Sequence, residues 1–305
     1  MKINQLGKSS IYLSELTLGC MSLGTDVQTA KYIIDHALDN GINHLDTADL
    51  YDFGENERII GEALKQKRER VILTTKVGNH FDKSKKTWFW DPSKKHIQNG
   101  VKESLQRLQT DYIDFYMLHG GTIEDPIEET IEAFEELKQE GLIRAYGLSS
   151  IRPNVIREYV KKSSIDGVMM QYSLLDRRPE EEMLDLLHEN QISVLARGPL
   201  AKGILSNNGN NQINKKAKDG FLGYSYEELH QLYGKLTSLA EPIKLNELAL
   251  LYVLQHPAVA SAVFGASSVN QLKESITNNV TIPLSDQLYQ QLKTLTKALT
   301  YEAHR

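Results

Sequence analysis

The chain has 305 residues, enough to bury a large core either as two ordinary domains or as one large α/β unit. Charged residues make up 25%, Gly (20) and Pro (8) are not in excess, and the formal net charge of −5 excludes a basic field for nucleic acid. The single cysteine, Cys20, excludes an internal disulfide and a multi-cysteine metal site; the start MKINQLGKSS lacks a signal-like apolar core and no stretch reaches the ~18 apolar residues of a membrane span, so the cytoplasm is the expected location and no membrane partner is expected.

Residues 3–16 (INQLGKSSIYLSEL) hold two short alternating runs around Gly7-Lys8, which predicts a β-hairpin capping the bottom of the main fold. Beyond it, strand and helix signals alternate. Thr17–Met21 reads as a strand, and Ala30, Ile33, Ile34, Ala37 and Leu38 recur at helical spacing until Gly41. Strand-like Ile42–Leu45 is followed by helix Glu57–Lys67, strand Val71–Thr75, helix Lys94–Leu108 and strand Tyr112–Leu118. Helix Ile127–Glu140 turns Ile127, Ile131, Phe134 and Leu137 to one face and stops at Gly141. Strand Ile143–Leu148, helix Pro153–Lys161, strand Ile165–Met170, helix Pro179–Glu189 and strand Ile192–Ala196 come next. A long insert with helices near Tyr226–Ala240 and Asn246–His256 leads to a last strand, Val259–Phe264.

Eight strands separated by amphipathic helices predict a closed (β/α)8 TIM barrel spanning residues 1–305 as one domain. An open doubly wound sheet is the alternative, because counting strands does not prove closure. Two loops stand out: His80–Pro92, with Trp88, Phe89 and Trp90 among lysines, and Ser206–Ser225, whose Asn, Lys and Gly content suits a mobile flap.

In such a barrel the reactive site lies at the C-terminal ends of the strands. Those ends carry Asp46, Lys76, His119, Ser149 with Ser150, Gln171, Arg197 and the stretch Gly265–Ser268, and Tyr51 follows Asp46 closely. Singly, Asp46 reads as a turn or cap, Lys76 as a solvated strand end and His119 as a satisfied histidine. Together they point to one site. Tyrosine is a poor acid at neutral pH, with a reference pKa of about 10, but a neighbouring ammonium favours its phenolate. Lys76 is therefore expected to make Tyr51 a usable acid, Asp46 to hold Lys76 charged, and His119 to contact a substrate oxygen. An acid aimed at a carbonyl oxygen suggests carbonyl reduction, which needs a hydride that no side chain supplies. No GxGxxG follows any strand, so a nicotinamide is expected at the barrel mouth instead, with Ser149 and Gln171 on the carboxamide and Gly265–Ser268 on phosphate.

The segments GINHLDTADLYDFGENERIIGEAL, LTTKVG, MLHGG, GLIRAYGLSS, MQYSLLDR and GPLAKGIL resemble successive signatures of the aldo-keto reductases, over about residues 3 to 276. The resemblance implies a (β/α)8 barrel and reversible reduction of aldehydes and ketones that favours NADPH, with NADH as the other coenzyme. By position, Tyr51 would be the proton donor, Lys76 and Asp46 its tuning pair, and His119 the group orienting the carbonyl. Ser149, Ser150, Gln171, Arg197, Gly198, Pro199, Leu200, Gly203, Gly265, Ala266, Ser267, Ser268 and Gln271 fall at cofactor-contacting positions.

The chain departs from the family pattern in three places. Ser149-Ser150 stands where Ser-Asn is usual, Arg197 where many members stack an aromatic ring on the nicotinamide, and Lys273 is the only cation in the stretch GASSVNQLKES at the adenosine end. Arg197 reads as a cofactor contact or as one half of a structural ion pair. Leu50, Tyr51, Trp88 and Trp90 suggest an apolar mouth for a small carbonyl substrate, unless the tryptophans only hold a loop. Rival readings are a Schiff-base lyase with Lys76 as nucleophile, and a cofactor-bound regulatory subunit resembling those of membrane channels. A metal-dependent hydrolase finds too few ligands, since His119 is the only histidine at a strand end, and no metal is expected.

Overall fold

The structure, a computed structural model, describes residues 1–276 and 284–305. It opens with the expected hairpin, β1 (Ile3–Gln5) paired antiparallel with β2 (Tyr12–Ser14). Its turn passes through Gly7 at φ +54, packed so tightly that a Cβ there would lie 2.2 Å from the Asp166 carbonyl oxygen.

The main strands are β3 (Leu16–Gly19), β4 (His44–Asp46) and β5 (Ile72–Val77); a ribbon of β6 (Asn79–Asp82) and β7 (Thr87–Trp90) comes next, then β8 (Ile113–Leu118), β9 (Ile143–Ser149), β10 (Gly167–Gln171), β11 (Ser193–Arg197) and β12 (Val259–Gly265). All but the ribbon pair in parallel in chain order, and β12 returns to β3, with Gly265 opposite Gly19. The sheet is therefore a closed eight-stranded barrel, and the doubly wound alternative falls.

Around it lie α1 (Val27–Asp39), α2 (Glu55–Ala63), α3 (Lys94–Leu108), α4 (Ile127–Gln139), α5 (Pro153–Lys162) and α6 (Met183–Glu189), then α7 (Gly209–Lys216), α8 (Tyr226–Ala240), α9 (Leu245–Leu254), α10 (Val269–Ser275) and α11 (Asp286–Leu295). Side-chain caps start several of them: Asp26 accepts from the Thr29 N–H at 2.8 Å, and Ser225 forms a reciprocal capping box with Glu228.

Two expectations need adjustment. His80–Pro92 is an ordered β-ribbon, with His80 opposite Phe89 and Asp82 opposite Thr87, so it is more than a loop. Ser206–Ser225 contains α7, whose burial rests on Gly209 and Ile213 alone, too little apolar pattern to betray a helix in the sequence.

Alternation along the strands divides the core. Phe115, Met117, Ala145, Met169, Leu195 and Val263 pack inside the barrel with Leu6, Ile11 and Leu13 of the hairpin, which plugs the bottom. The intervening residues, among them Leu118, Leu148, Val168, Met170 and Val194, pack outward against the helices. A chain of buried hydroxyl and imidazole groups also crosses the interior. His44 Nδ1 lies 2.6 Å from Thr17 Oγ1, His44 Nε2 lies 2.6 Å from Thr74 Oγ1, and Thr17 Oγ1 lies 2.6 Å from Ser261 Oγ. Ser261 in turn donates to the Ser14 carbonyl at 2.8 Å. Burial and the Lys76 charge push the His44 pKa down to about 3, so its ring is neutral.

Candidate active site

The same period of two that fills the barrel brings the predicted polar residues to its mouth, because Asp46, Lys76, Ser149, Gln171, Arg197 and Gly265 each lie at or next to the end of a strand. His119 follows β8 directly and donates its N–H to the Val77 carbonyl at 2.7 Å.

At the centre is Lys76, with 1% of its side chain exposed against 5% for Asp46. Its Nζ lies 2.8 Å from Asp46 Oδ1, donates to Asp46 Oδ2 at 3.0 Å and to the Thr47 carbonyl at 2.6 Å, and reaches the Tyr51 hydroxyl at 3.4 Å. Asp46 Oδ1 has no aligned hydrogen bond despite its closeness, so it contributes charge more than direction. Burial works against the ammonium, but Asp46 and then Tyr51 outweigh it and hold the Lys76 pKa above the ordinary lysine value. A charged Lys76 removes the neutral amine that a Schiff-base reading requires.

His119 stands edge-on to Tyr51, ring centroids 5.8 Å apart at 82°. Burial, then the Lys76 and Arg197 cations, push its pKa down to about 3. It is a neutral imidazole at physiological pH, and its Nδ1 is buried with no protein partner among the described residues.

The segment carrying Tyr51 is stitched down by bonds that no sequence motif announces. The N–H groups of Thr47 and Asp49 donate to the Thr74 and Lys76 carbonyls at 2.9 and 3.2 Å. Thr47 Oγ1 donates to Asn56 Oδ1 at 2.6 Å, and Asn56 Nδ2 to the Cys20 carbonyl at 2.9 Å. Buried Glu57 accepts from Thr75 Oγ1 at 2.5 Å and Arg107 Nε at 2.6 Å, clamping α2 to β5 and α3. Asn56 and Glu57 lie in the run GENERIIG, but their partners are distant in sequence and only the fold reveals them. Immediately after Tyr51, Asp52 (φ +50) and Phe53 (φ +53) both take left-handed backbone, a conformation unfavourable for side-chain-bearing residues that recurs where a fold holds a functional segment in place.

A second arc is formed by neighbouring β9 to β12. Ser149 and Gln171 are half-buried there, Arg197 is exposed, and Gln171 lies opposite Arg197. Among the described residues no carboxylate lies within 4.0 Å of Arg197, so the structural ion pair is not formed, while its charge acts on both Asp46 and His119. Gly198 follows at φ +67, with nothing within 4 Å of where a Cβ would stand. Pro199 is buried, Leu200 is half-buried and Gly203 turns the chain at φ +90. At the end of β12, Gly265 and Ser267 are exposed and Ala266 is buried; Ser268 caps α10, and Gln271 Oε1 accepts from both the N–H and Oγ of Ser267 at 2.9 Å. Ser150 is buried, and its Oγ accepts from the Arg152 N–H at 3.2 Å. An open glycine beside an unpaired guanidinium, flanked by half-buried hydroxyl and amide groups, suits a dinucleotide carrying amide and phosphate groups.

The ribbon separates the two tryptophans. Trp90 Nε1 donates to both Asp125 oxygens, at 3.0 and 3.1 Å, and its ring covers Gly78 and Gly120, whereas Trp88 is 57% exposed beside exposed Phe89. Trp90 thus holds the ribbon down, and Trp88 is the free ring.

Comparison with known proteins agrees with this geometry. A sequence profile described as "Aldo/keto reductase family" matches residues 15–297. The chain is 54% identical over 306 residues to "Uncharacterized oxidoreductase YqkF" of Bacillus subtilis (strain 168), covering 100% of both proteins. It is 32% identical over 313 residues to "NADH-specific methylglyoxal reductase" of Escherichia coli (strain K12), covering 94% of this chain and 95% of that one. Among solved structures, the holo form of aldo-keto reductase AKR11C1 from Bacillus halodurans superposes with a TM-score of 0.94 at 53% identity, covering 100% of this chain and 99% of that chain. On fold, profile and relatives together, the chain belongs to the aldo/keto reductase family and is an NAD(P)H-dependent oxidoreductase.

Proposed function

We propose that the protein reduces small aldehydes and ketones to alcohols, with NADPH as the preferred coenzyme and Tyr51 as the proton donor. The observation that carries this reading is the Lys76 ammonium, held by Asp46 at 2.8 Å and standing 3.4 Å from the Tyr51 hydroxyl. When bound, the nicotinamide supplies the hydride. As the carbonyl oxygen gains charge, Tyr51 passes it a proton, and Lys76 stabilises the negative charge left on the phenolate oxygen. Asp46 keeps Lys76 charged and fixed. Neutral His119, with Nδ1 unpartnered, orients the carbonyl oxygen beside Tyr51.

Ser149 and Gln171 would hold the carboxamide, with a smaller part for Ser150. Arg197, Gly198, Pro199, Leu200 and Gly203 would flank the nicotinamide half, and Gly265, Ala266, Ser267, Ser268 and Gln271 the phosphate end. There Gln271 Oε1 would give up its hold on the Ser267 donors to an incoming phosphate oxygen. NADPH ranks above NADH because these donors, with Lys273 nearby in sequence, suit an additional phosphate; the name of the E. coli relative, which specifies NADH, makes that ranking the first thing to measure. Trp88 and Trp90 are proposed to border the substrate. The whole chain is proposed to act as one domain in the cytoplasm, and no described helix is long and apolar enough to cross a membrane.

Tyr51→Phe tests the donor. Aldehyde-dependent NADPH oxidation should fall by about 10²–10⁴-fold, with coenzyme affinity, read from tryptophan quenching, unchanged. Wild-type turnover in this variant would remove Tyr51 from the proton step, and equal affinities for NADPH and NADH would remove the coenzyme preference.

A further inference from the structure

Away from the lysine centre, the ribbon brings together three groups with no part in the proposed reaction. Asp91, just past β7, places Oδ2 3.6 Å from His80 Nδ1 of β6 and 4.0 Å from His96 Nδ1 in the first turn of α3. One ligand atom from each of the three lies within 4.8 Å of the others, and the two imidazole centroids are 5.1 Å apart. Zinc bonds of ~2.0–2.1 Å at the tetrahedral angle require ligand atoms about 3.3 Å apart and put two bound imidazole centroids roughly 5 Å apart. The trio is thus close to a ligand arrangement before any ion arrives, needing only small side-chain adjustments.

A second, independent observation points to a cation. The three residues line a cavity of ≈ 350 Å³ together with Asp49 and Glu103, against the single ammonium of Lys95. Asp49 is 2% exposed, and its Oδ1 has no hydrogen-bond partner among the described residues.

We propose that His80, Asp91 and His96 form a site for one divalent transition-metal ion of the zinc class, with water completing the shell. The expectation of no metal rested on the histidines at barrel-strand ends, and these two histidines lie outside that set. The ion would join β6, the end of β7 and α3, fixing the ribbon that carries Trp88 to the barrel wall. The site does not involve Tyr51.

The test uses the full chain without an affinity tag. Calorimetric titration with Zn²⁺ should show one equivalent bound, and Co²⁺ should give the visible absorption of a four-coordinate nitrogen and oxygen site. His80→Gln, at a side chain 53% exposed where folding is not at risk, and Asp91→Asn should each weaken Zn²⁺ binding tenfold or more. Tyr51→Phe should bind Zn²⁺ as the parent does, and added Zn²⁺ should slow amide exchange across residues 79–90. No binding, or equal affinity in His80→Gln and Asp91→Asn, overturns the site and leaves two histidine–carboxylate contacts only.

Discussion

Replacing Asp46 with Asn keeps the shape of the site but removes the carboxylate that accompanies Lys76. At 2.8 Å and an effective dielectric of ~20, the attraction lost is roughly 6 kcal/mol. Part of this returns through the Thr47 carbonyl, which still accepts from Nζ at 2.6 Å. Breaking a buried pair from one side typically costs about 3–5 kcal/mol, so Asp46→Asn should lose that much stability near neutral pH. The pH dependence gives the sharper check. In the parent the Lys76 pKa is held above its ordinary value, so its contribution is intact below about pH 10.4 and fades as pH rises through the folded value. In the variant, burial without a counter-charge drops that pKa below the ordinary value; the unfolded chain then binds more protons, and variant stability climbs with pH through that window. Urea denaturation at about pH 7 and about pH 10 should therefore show the gap between the two narrowing. Adding Lys76→Met should restore much of the loss, because no unpaired charge stays buried. A loss below ~1 kcal/mol, or a double variant no better than Asp46→Asn, would refute the reasoning.

Acid stability should report the neutral His44. Its folded pKa, about 3, is depressed from 6.5, so its contribution is complete above about pH 6.5 and declines toward about pH 3, at a slope approaching 1.4 kcal/mol per pH unit. Denaturation between about pH 6.5 and 5, where most carboxylates stay ionised, should be steeper in the parent than in His44→Gln by about this slope, the equally depressed His119 contributing in both; equal slopes would assign the effect elsewhere. Gly147→Ala should cost ~3 kcal/mol or more in urea denaturation, since the new Cβ would meet the Gly167 carbonyl oxygen at 2.0 Å and the Phe115 ring at 2.8 Å. Trp90→Phe should lose the Asp125 bonds and speed amide exchange across residues 79–90, with a stability loss of about 1–3 kcal/mol; unchanged exchange would mean that the strand pairing alone holds the ribbon.

Periodicity made most of the barrel legible. Helices Lys94–Leu108 and Tyr226–Ala240 appear at their expected bounds, because long apolar faces and end signals agree there. Strand ends shift by a residue or two, as at β5, which runs on to Val77. Pro179–Glu189 divides into a short 3₁₀ turn, Arg178–Glu181, and α6, a break that the apolar spacing conceals. The ribbon was hidden by its lysines, since two four-residue strands, one of them mostly exposed, carry little alternation to read. The convergence of Asp46, Lys76 and Tyr51 could be anticipated from strand ends, because a barrel gathers them whatever their separation in sequence. The Asn56 and Glu57 links and, among the described residues, the lack of an ion pair at Arg197 and of a hydrogen bond to Asp49 Oδ1 depend on distances that no local pattern contains.

The hydroxyl and imidazole chain inside the barrel has a direction set by a single atom. The Ser14 carbonyl can only accept, so the Ser261 proton points toward it, and Ser261 Oγ must receive the Thr17 proton. Thr17 can then only accept from His44, which places the ring proton on Nδ1 and leaves Nε2 to receive the Thr74 hydroxyl proton. The hairpin beneath the barrel thereby selects one tautomer of a histidine on another strand, and transmits that choice through two hydroxyl groups without touching the ring.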